Sequence, residues 1–280
     1  MEDEHVMETL GMSRVVVKNG TVVSVSEPKL SFCPLFYKHK GIEKITKEII
    51  KENIEGRIRE FGLFTERRNL LQNVFVGFGT SEIFMSALKR NRLDAIICVC
   101  EGAGTVISAN PELVQGIGAR LSGLVSTTPI RGIIDRISQL EGVVLDPEDA
   151  GIDQFLGVKR AMELGYSKVG VTVADPKEAK RIKETFGDDA VTFLVHTTGL
   201  CFSQDILDGC DLVTSCASRQ LRENLKGHIM AQAGSSIPIF ALSQIGKELL
   251  LDRAKDIDRP LYLSAMELPF LDGRQPEKMF

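Results

Sequence analysis

Two stretches of the chain hold residues whose types and spacing could do chemistry. The first is Val74-Phe75-Val76-Gly77-Phe78-Gly79-Thr80-Ser81-Glu82, which runs into the helical pattern Ile83-Phe84-Met85-Ser86-Ala87-Leu88. An apolar run, a Gly-x-Gly turn and a helix capped by Thr80 or Ser81 form an arrangement in which backbone N–H groups meet a ligand closely. Glu101 ends the next apolar run, 22 residues after Gly79. That is near the ~20-residue spacing at which an acidic side chain accepts the hydroxyls of a nucleoside ribose. Gly77, Gly79, Thr80, Ser81 and Glu101 are therefore the candidate cofactor-binding set. The third glycine of the dinucleotide fingerprint is missing, which weakens contact with a diphosphate and favours S-adenosylmethionine over NAD. The competing reading is a tight strand-to-helix turn, with Glu101 solvated in a second turn, Glu101-Gly102-Ala103-Gly104-Thr105. A further glycine-rich piece, Gln115-Gly116-Ile117-Gly118, lies within a helical pattern and reads as close packing.

The second stretch is a set of strand ends in the C-terminal half: Asp175, His196-Thr197-Thr198-Gly199, Ser215-Cys216-Ala217-Ser218-Arg219 and Ser243-Gln244. His196 is one of four histidines and follows an apolar run. An imidazole placed there could serve as a general base, because its pKa lies near neutrality; it could equally be a histidine hydrogen-bonded within a loop. Thr197 and Thr198 either contact a polar ring substituent or cap the following helix, and residue preference favours capping. His196, Thr197 and Thr198 are the candidate catalytic residues.

Several chemistries have no support. There is no Gly-x-Ser-x-Gly elbow for a serine hydrolase and no GxxxxGK[ST] loop for nucleotide hydrolysis. The histidines are scattered, no His-Glu-x-x-His occurs, and no metal site is expected. Cys98 and Cys100 share one face of a strand and read as small apolar packing residues.

The elements that must position these groups follow from periodicity. Arg14–Lys18 and Thr21–Val25, flanking Asn19-Gly20, predict a β-hairpin with a type I′ turn. Ile45, Ile49, Ile50, Ile54 and Ile58 predict an amphipathic helix over about 43–60. Short apolar strands are predicted at Val74–Gly77, Ala95–Cys100, Val143–Leu145, Lys168–Ala174, Val191–Val195, Asp211–Ser215 and Ile237–Leu242. Helices are predicted near 81–91, 110–122, 130–140, 151–165, 175–186, 203–209, 218–226 and 244–256. Alternation of this kind implies a doubly wound, mostly parallel α/β sheet with right-handed crossovers, where ligands sit beyond the carboxyl ends of strands. Leu145-Asp146-Pro147-Glu148-Asp149-Ala150-Gly151 is the candidate boundary. It divides the chain into an N-terminal hairpin and helix (1–72), a first α/β lobe (73–146) and a second (147–280), or else is a loop within one continuous domain.

Composition sets the class. With 280 residues, 43% hydrophobic and 26% charged, and 34 Lys+Arg against 38 Asp+Glu, the chain is expected to be globular and slightly acidic. It has no basic excess to suit a nucleic-acid partner. Six dilute cysteines without CxxC spacing, an acidic start and apolar runs well short of the ~18 residues that span a bilayer lead to the expectation of a cytoplasmic, reduced protein without a membrane partner.

Several idiosyncratic runs carry a resemblance to a known family. These are Cys33-Pro34-Leu35-Phe36, Pro111-Glu112-Leu113-Val114-Gln115-Gly116-Ile117-Gly118 with Gly123-Leu124-Val125-Ser126-Thr127-Thr128-Pro129-Ile130, Val195-His196-Thr197-Thr198-Gly199, and the C-terminal Ile237–Leu242 and Gly246–Leu250. Over nearly the whole chain the sequence resembles the methanogenesis marker protein 8 family of archaea. The wider family is understood to include a methyltransferase that uses S-adenosylmethionine to methylate a pyridinol ring during synthesis of the iron-guanylylpyridinol cofactor of Fe-hydrogenase. The resemblance therefore implies a Rossmann-like methyltransferase with S-adenosylmethionine as methyl donor and a small heteroaromatic substrate; apart from the resemblance, homo-oligomer formation is left open. Gly77, Gly79, Thr80, Ser81 and Glu101 would hold the donor, and His196, Thr197 and Thr198 the substrate. The alternative is a non-catalytic protein that binds a cofactor or assists assembly.

Overall fold

Residues 3–74, 76–271 and 273–276 are described by the computed structural model. Asn19 and Gly20 take positive φ angles of 47° and 69°, as a two-residue type I′ turn requires. They join β2 (Ser13–Lys18) to β3 (Thr21–Val25), so the expected hairpin is present. It belongs to a four-stranded antiparallel sheet. β1 (Glu4–Thr9) pairs with β2, and β6 (Gly123–Ser126), far away in sequence, pairs with the other edge of β1.

One face of this small sheet is covered by α2 (Lys47–Phe61), the helix expected from its isoleucines. Thr46 caps it by accepting from the Ile49 N–H at 3.4 Å, and Gly62, at φ 68°, ends it in the left-handed conformation. Ile50 and Ile54 are buried against Met7, Val15 and Val17. A short helix, α1 (Pro34–Lys40), was not predicted, although Pro34 at its first turn and Gly41 just past its end are start and stop signals.

The second sheet has eight strands in the order β11-β12-β10-β9-β8-β4-β5-β7. They are β4 (Ala95–Cys100), β5 (Gly104–Ser108), β7 (Val143–Val144), β8 (Val169–Val173), β9 (Ala190–Leu194), β10 (Leu212–Thr214), β11 (Ala231–Ala233) and β12 (Ile239–Ala241). Only β4, β8, β9 and β10 are mutually parallel; β5 and β7 on one side, and β12 and β11 on the other, run antiparallel to their neighbours. The expectation of a mostly parallel sheet is corrected to a mixed one. β5 follows β4 after three residues, too few for a crossover, so the pair must close as a hairpin. Of the strand expected at Val74–Gly77, Phe75 lies outside the described residues, and the described Val74, Val76 and Gly77 have no regular pairing.

Helices cover both faces, as continuous apolar strands demand. On one side α3 (Thr80–Lys89), α4 (Pro111–Gly118), α5 (Arg131–Gln139) and α10 (Gln244–Ala254) enclose Ile96, Cys98, Val191 and Phe193. On the other, α6 (Gln154–Glu163), α7 (Pro176–Phe186), α8 (Gln204–Gly209) and α9 (Arg219–Asn224) enclose Ala95, Ile97, Val169, Val171 and Val173. Alternate residues of one strand therefore enter opposite cores. The candidate boundary at 145–151 is a connection beside β7, and the large sheet takes strands from both sides of it. No helix among the described residues is long and apolar enough to cross a membrane.

A buried ion pair joins the loop after α2 to the end of β4 in the large sheet. Arg68 and Glu101 both have fully buried side chains, and the Arg68 Nε donates to a Glu101 carboxylate oxygen. The remaining guanidinium nitrogens donate to the carbonyls of Asn69 (2.5 Å), Gly116 (2.8 Å) and Ile117 (3.2 Å), the last two at the end of α4. Removing one member leaves the other charge buried without its partner, which costs about 3–5 kcal/mol. Arg68→Met is expected to lower the stability of the protein by that amount in urea unfolding, and the double variant Arg68→Met/Glu101→Leu to recover part of the loss. A change below about 1 kcal/mol in the single variant would remove this pair from the framework.

Candidate functional site

The glycine turn ahead of α3 is present, with Gly79 at the N-cap position. Its concave side is occupied by protein. Glu82 folds back from the first turn, and its carboxylate accepts from the Val76 N–H (3.3 Å), Ser81 Oγ (3.1 Å) and Gln115 Nε2 (2.9 Å). A carboxylate at a helix N-terminus is favourable, since it offsets the unpaired N–H groups and the positive end of the dipole. Arg253, also buried, donates to the Gly77 carbonyl at 2.7 Å and to Ser86 Oγ at 3.3 Å. Gly77, Gly79, Thr80 and Ser81 thus frame a filled turn.

Glu101 does stand at the carboxyl end of β4, as expected. Its carboxylate is bound by Arg68 and shielded from solvent, so a ribose hydroxyl has no path to it in this arrangement. The residues assigned to the nucleoside do not fit one here, and the solvated-turn alternative fails as well. Gly116 and Gly118 are packing glycines: a Cβ at Gly116 would overlap the Leu70 carbonyl, and one at Gly118 would lie 2.8 Å from Ser81 Cβ.

The C-terminal cluster separates into supports and one open group. Asp175, Ser218 and Ser243 cap α7, α9 and α10 by accepting from the N–H groups of Lys177 (2.9 Å), Leu221 (3.2 Å) and Gly246 (3.2 Å). Thr197 is buried, donates its hydroxyl to the Thr214 carbonyl (2.5 Å) and accepts from the Cys216 N–H (3.2 Å). It ties the end of β9 to the end of β10 and does not cap a helix. Capping is corrected for Thr198 too, because α8 begins only after Ser203. Arg222, whose importance periodicity could not reveal, holds the neighbouring loop through Ser215 Oγ, the Ser215 carbonyl and the Cys216 carbonyl, each at 2.8 Å.

His196 is the open group. It sits one residue past Val195 at φ 57°, a left-handed backbone that costs a non-glycine residue free energy and recurs at functional sites. Its surface is exposed, while on the inner side Gly123 approaches so closely that a Cβ there would lie 3.3 Å from the ring. Desolvation on the packed side pushes the imidazole pKa down, to about 4; water at the exposed edge solvates the cation and works against that fall. Thr198, two residues on, hydrogen bonds with the Cys216 thiol, which is pushed up to about 11 by burial and by Cys33, with the Thr198 hydrogen bond opposing the rise.

A second histidine, His5, was not singled out from the sequence. It is fully buried between the two sheets, with Nε2 2.6 Å from Asp3 Oδ1 and Nδ1 2.6 Å from Thr127 Oγ1, which in turn accepts from the Gly102 N–H at 2.7 Å. Burial lowers its pKa, with Asp3 opposing. The alternating pattern of β1 placed a polar residue at an inward position, the one signal that could have found it. Among the described residues no group of three or more His, Cys, Asp or Glu is placed to hold a metal, and burial pushes the Cys98 thiol up to about 12.

Both histidines have folded-state pKa values below 6.5, so the unfolded chain takes up their protons first. Stability is complete above about pH 6.5 and declines as the pH falls below it. Proton NMR titration should show both rings neutral at pH 7, with midpoints below 6.5; a His196 midpoint at or above 6.5 would contradict the packing described here.

No solved structure matches the chain. A protein of Methanocaldococcus jannaschii described as "Uncharacterized protein MJ0054" is 54% identical over 280 residues, covering 99% of each chain. A family model described as "Uncharacterized protein conserved in archaea (DUF2099)" matches residues 5–255, which include the whole large sheet and all of the small sheet but Glu4. The chain belongs to this archaeal family.

Proposed function

We propose that this chain is an enzyme acting on a small hydroxylated heteroaromatic molecule at the carboxyl ends of β9 and β10, and that its reaction is methylation of a pyridinol-like ring in the biosynthesis of a methanogen cofactor. The observation that carries the reading is His196, an imidazole with an open edge and a lowered pKa at a strand end. A neutral imidazole is able to accept the ring hydroxyl proton at neutral pH, leaving an oxyanion and an electron-rich ring. The Thr198 hydroxyl, two residues along, supplies a contact that orients the ring oxygen. Thr197 and Arg222 act behind them by fixing the loops at 197 and 215–216. S-adenosylmethionine is the proposed methyl donor; when bound it supplies an electrophilic methyl group. The resemblance supports that choice, whereas the filled turn at Gly77–Glu82 and the buried Glu101 leave its place in the chain open to the strand ends instead.

A second reading is favoured by a specific observation. Leu261, Tyr262 and Leu263 form a run of large apolar side chains in the extended C-terminal segment, with Tyr262 88% and Leu263 76% exposed. Apolar surface of this kind marks contact sites, and a non-catalytic cofactor-binding or assembly protein would use it.

Calorimetry with S-adenosylhomocysteine, followed by a transfer assay with labelled S-adenosylmethionine and hydroxypyridines, separates the two readings. Binding and transfer are expected, with His196→Gln about 10²-fold slower and the loss concentrated in kcat. Absence of adenosyl binding and of transfer would overturn the methyltransferase reading in favour of the second.

A further inference from the structure

A group of cationic and hydroxyl side chains lies where α2 meets the segment entering β6, and it is separate from His196. Arg57, on α2, is largely enclosed: its Nη1 donates to the Arg120 carbonyl at 2.7 Å and to Ser122 Oγ at 3.1 Å. Ser122 Oγ is in turn 3.2 Å from Thr9 Oγ1, at the end of β1. The Arg120 guanidinium rests 4.2 Å above the Phe61 ring, and its Nε reaches Gln72 Oε1 at 3.4 Å. Two arginines and two hydroxyls thus converge from three elements.

Within this group the charge of Arg57 is the unbalanced one. Burial pushes the Arg57 pKa down to about 10, and the neighbouring Arg120 pushes in the same direction. Burial also pushes the Arg120 pKa down, with Glu60 and Glu82 opposing the fall and Arg68 adding to it. Among the described residues no carboxylate lies within ion-pair distance of the partly buried Arg57, in contrast to the fully buried Arg68, which has Glu101. Enclosing a guanidinium beside another and leaving it without an anion is costly. The guanidinium fork and hydroxyl donors supply what an oxyanion needs, namely fixed, charge-assisted hydrogen bonds in a partly desolvated place.

We propose that Arg57, Arg120, Ser122 and Thr9 form a binding site for an oxyanion, the phosphate or carboxylate group of a small anionic ligand. The site stands apart from the methylation reading. Side chains alternate along the strand direction, so Ser122 faces α2 while the adjacent Gly123 backs onto the His196 ring. An anion bound here would lie one residue of backbone away from His196, on the other side of β6.

Inorganic phosphate, acetate and chloride at matched ionic strength distinguish the two oxyanion sources from simple screening. With the 15N-labelled full chain and no methyl donor present, phosphate or acetate is expected to shift the amides of Ser122 and Gly123 saturably, whereas chloride does not. The stronger of the two names the ligand group. Arg57→Gln should weaken that binding about tenfold, the loss of one charge-assisted contact, with Arg57→Lys between the two. Ser122→Ala, which leaves both charges in place, should weaken it severalfold and serves if Arg57→Gln does not fold. Equal responses to phosphate, acetate and chloride, shifts confined to other surface arginines, or undiminished binding in both Arg57→Gln and Ser122→Ala would overturn the proposal. None of these readouts depends on methyl transfer, so this site and the His196 reaction stand or fall separately.

Discussion

The ion pair between Arg68 and Glu101 is the constraint to which the packing of the loop after α2 against β4 and α4 is tied. Both groups are fully buried, and a charge in that position persists only if its hydrogen-bonding capacity is met. Arg68 meets it by reaching three separate pieces of chain: the end of β4, the carbonyl end of α4, and its own loop after α2. Arg136 on α5 braces that loop from outside through the carbonyls of Arg68 (2.8 Å) and Glu66 (2.7 Å). The close approach of α4 is possible because Gly116 has no side chain to strike Leu70.

The same constraint decides what Glu101 is available to do. An acidic residue at the carboxyl end of a parallel strand is well placed for a ribose, yet here its charge is already neutralised within the protein. Glu82 does the equivalent at the start of α3, where its carboxylate sits at the helix N-terminus. Both features associated with nucleoside binding are thus satisfied internally. What remains open at the strand ends is His196, flanked by loops that Thr197 and Arg222 hold in place.

The small sheet connects these regions physically. β6 begins at Gly123, against His196, and is followed at its other end by Thr127, which accepts from Gly102 and meets His5. One face of that sheet packs on α2, which carries Arg57 toward Ser122. The N-terminal segment is therefore part of the surroundings of the candidate site, which its separation in sequence from the α/β units did not suggest.

The sequence by itself determined the local elements: the Asn19-Gly20 hairpin, the isoleucine face of α2, the core strands β4, β8, β9 and β10, and the helices α3 to α10. These depend on turn chemistry and on periodicity, both of which act between residues near one another in the chain. Strand direction and partner were decided only in three dimensions. β5 reads as apolar whether it is parallel or antiparallel, and β6 gives no local sign that it leaves its neighbours to join β1. The roles of polar residues were likewise tertiary: Glu101 waits on Arg68, Thr197 on Thr214, Arg222 on Ser215 and His5 on Asp3 and Thr127. A side chain's type states which bonds it can make, but whether its partner is protein or ligand depends on what the fold brings within about 3 Å of it.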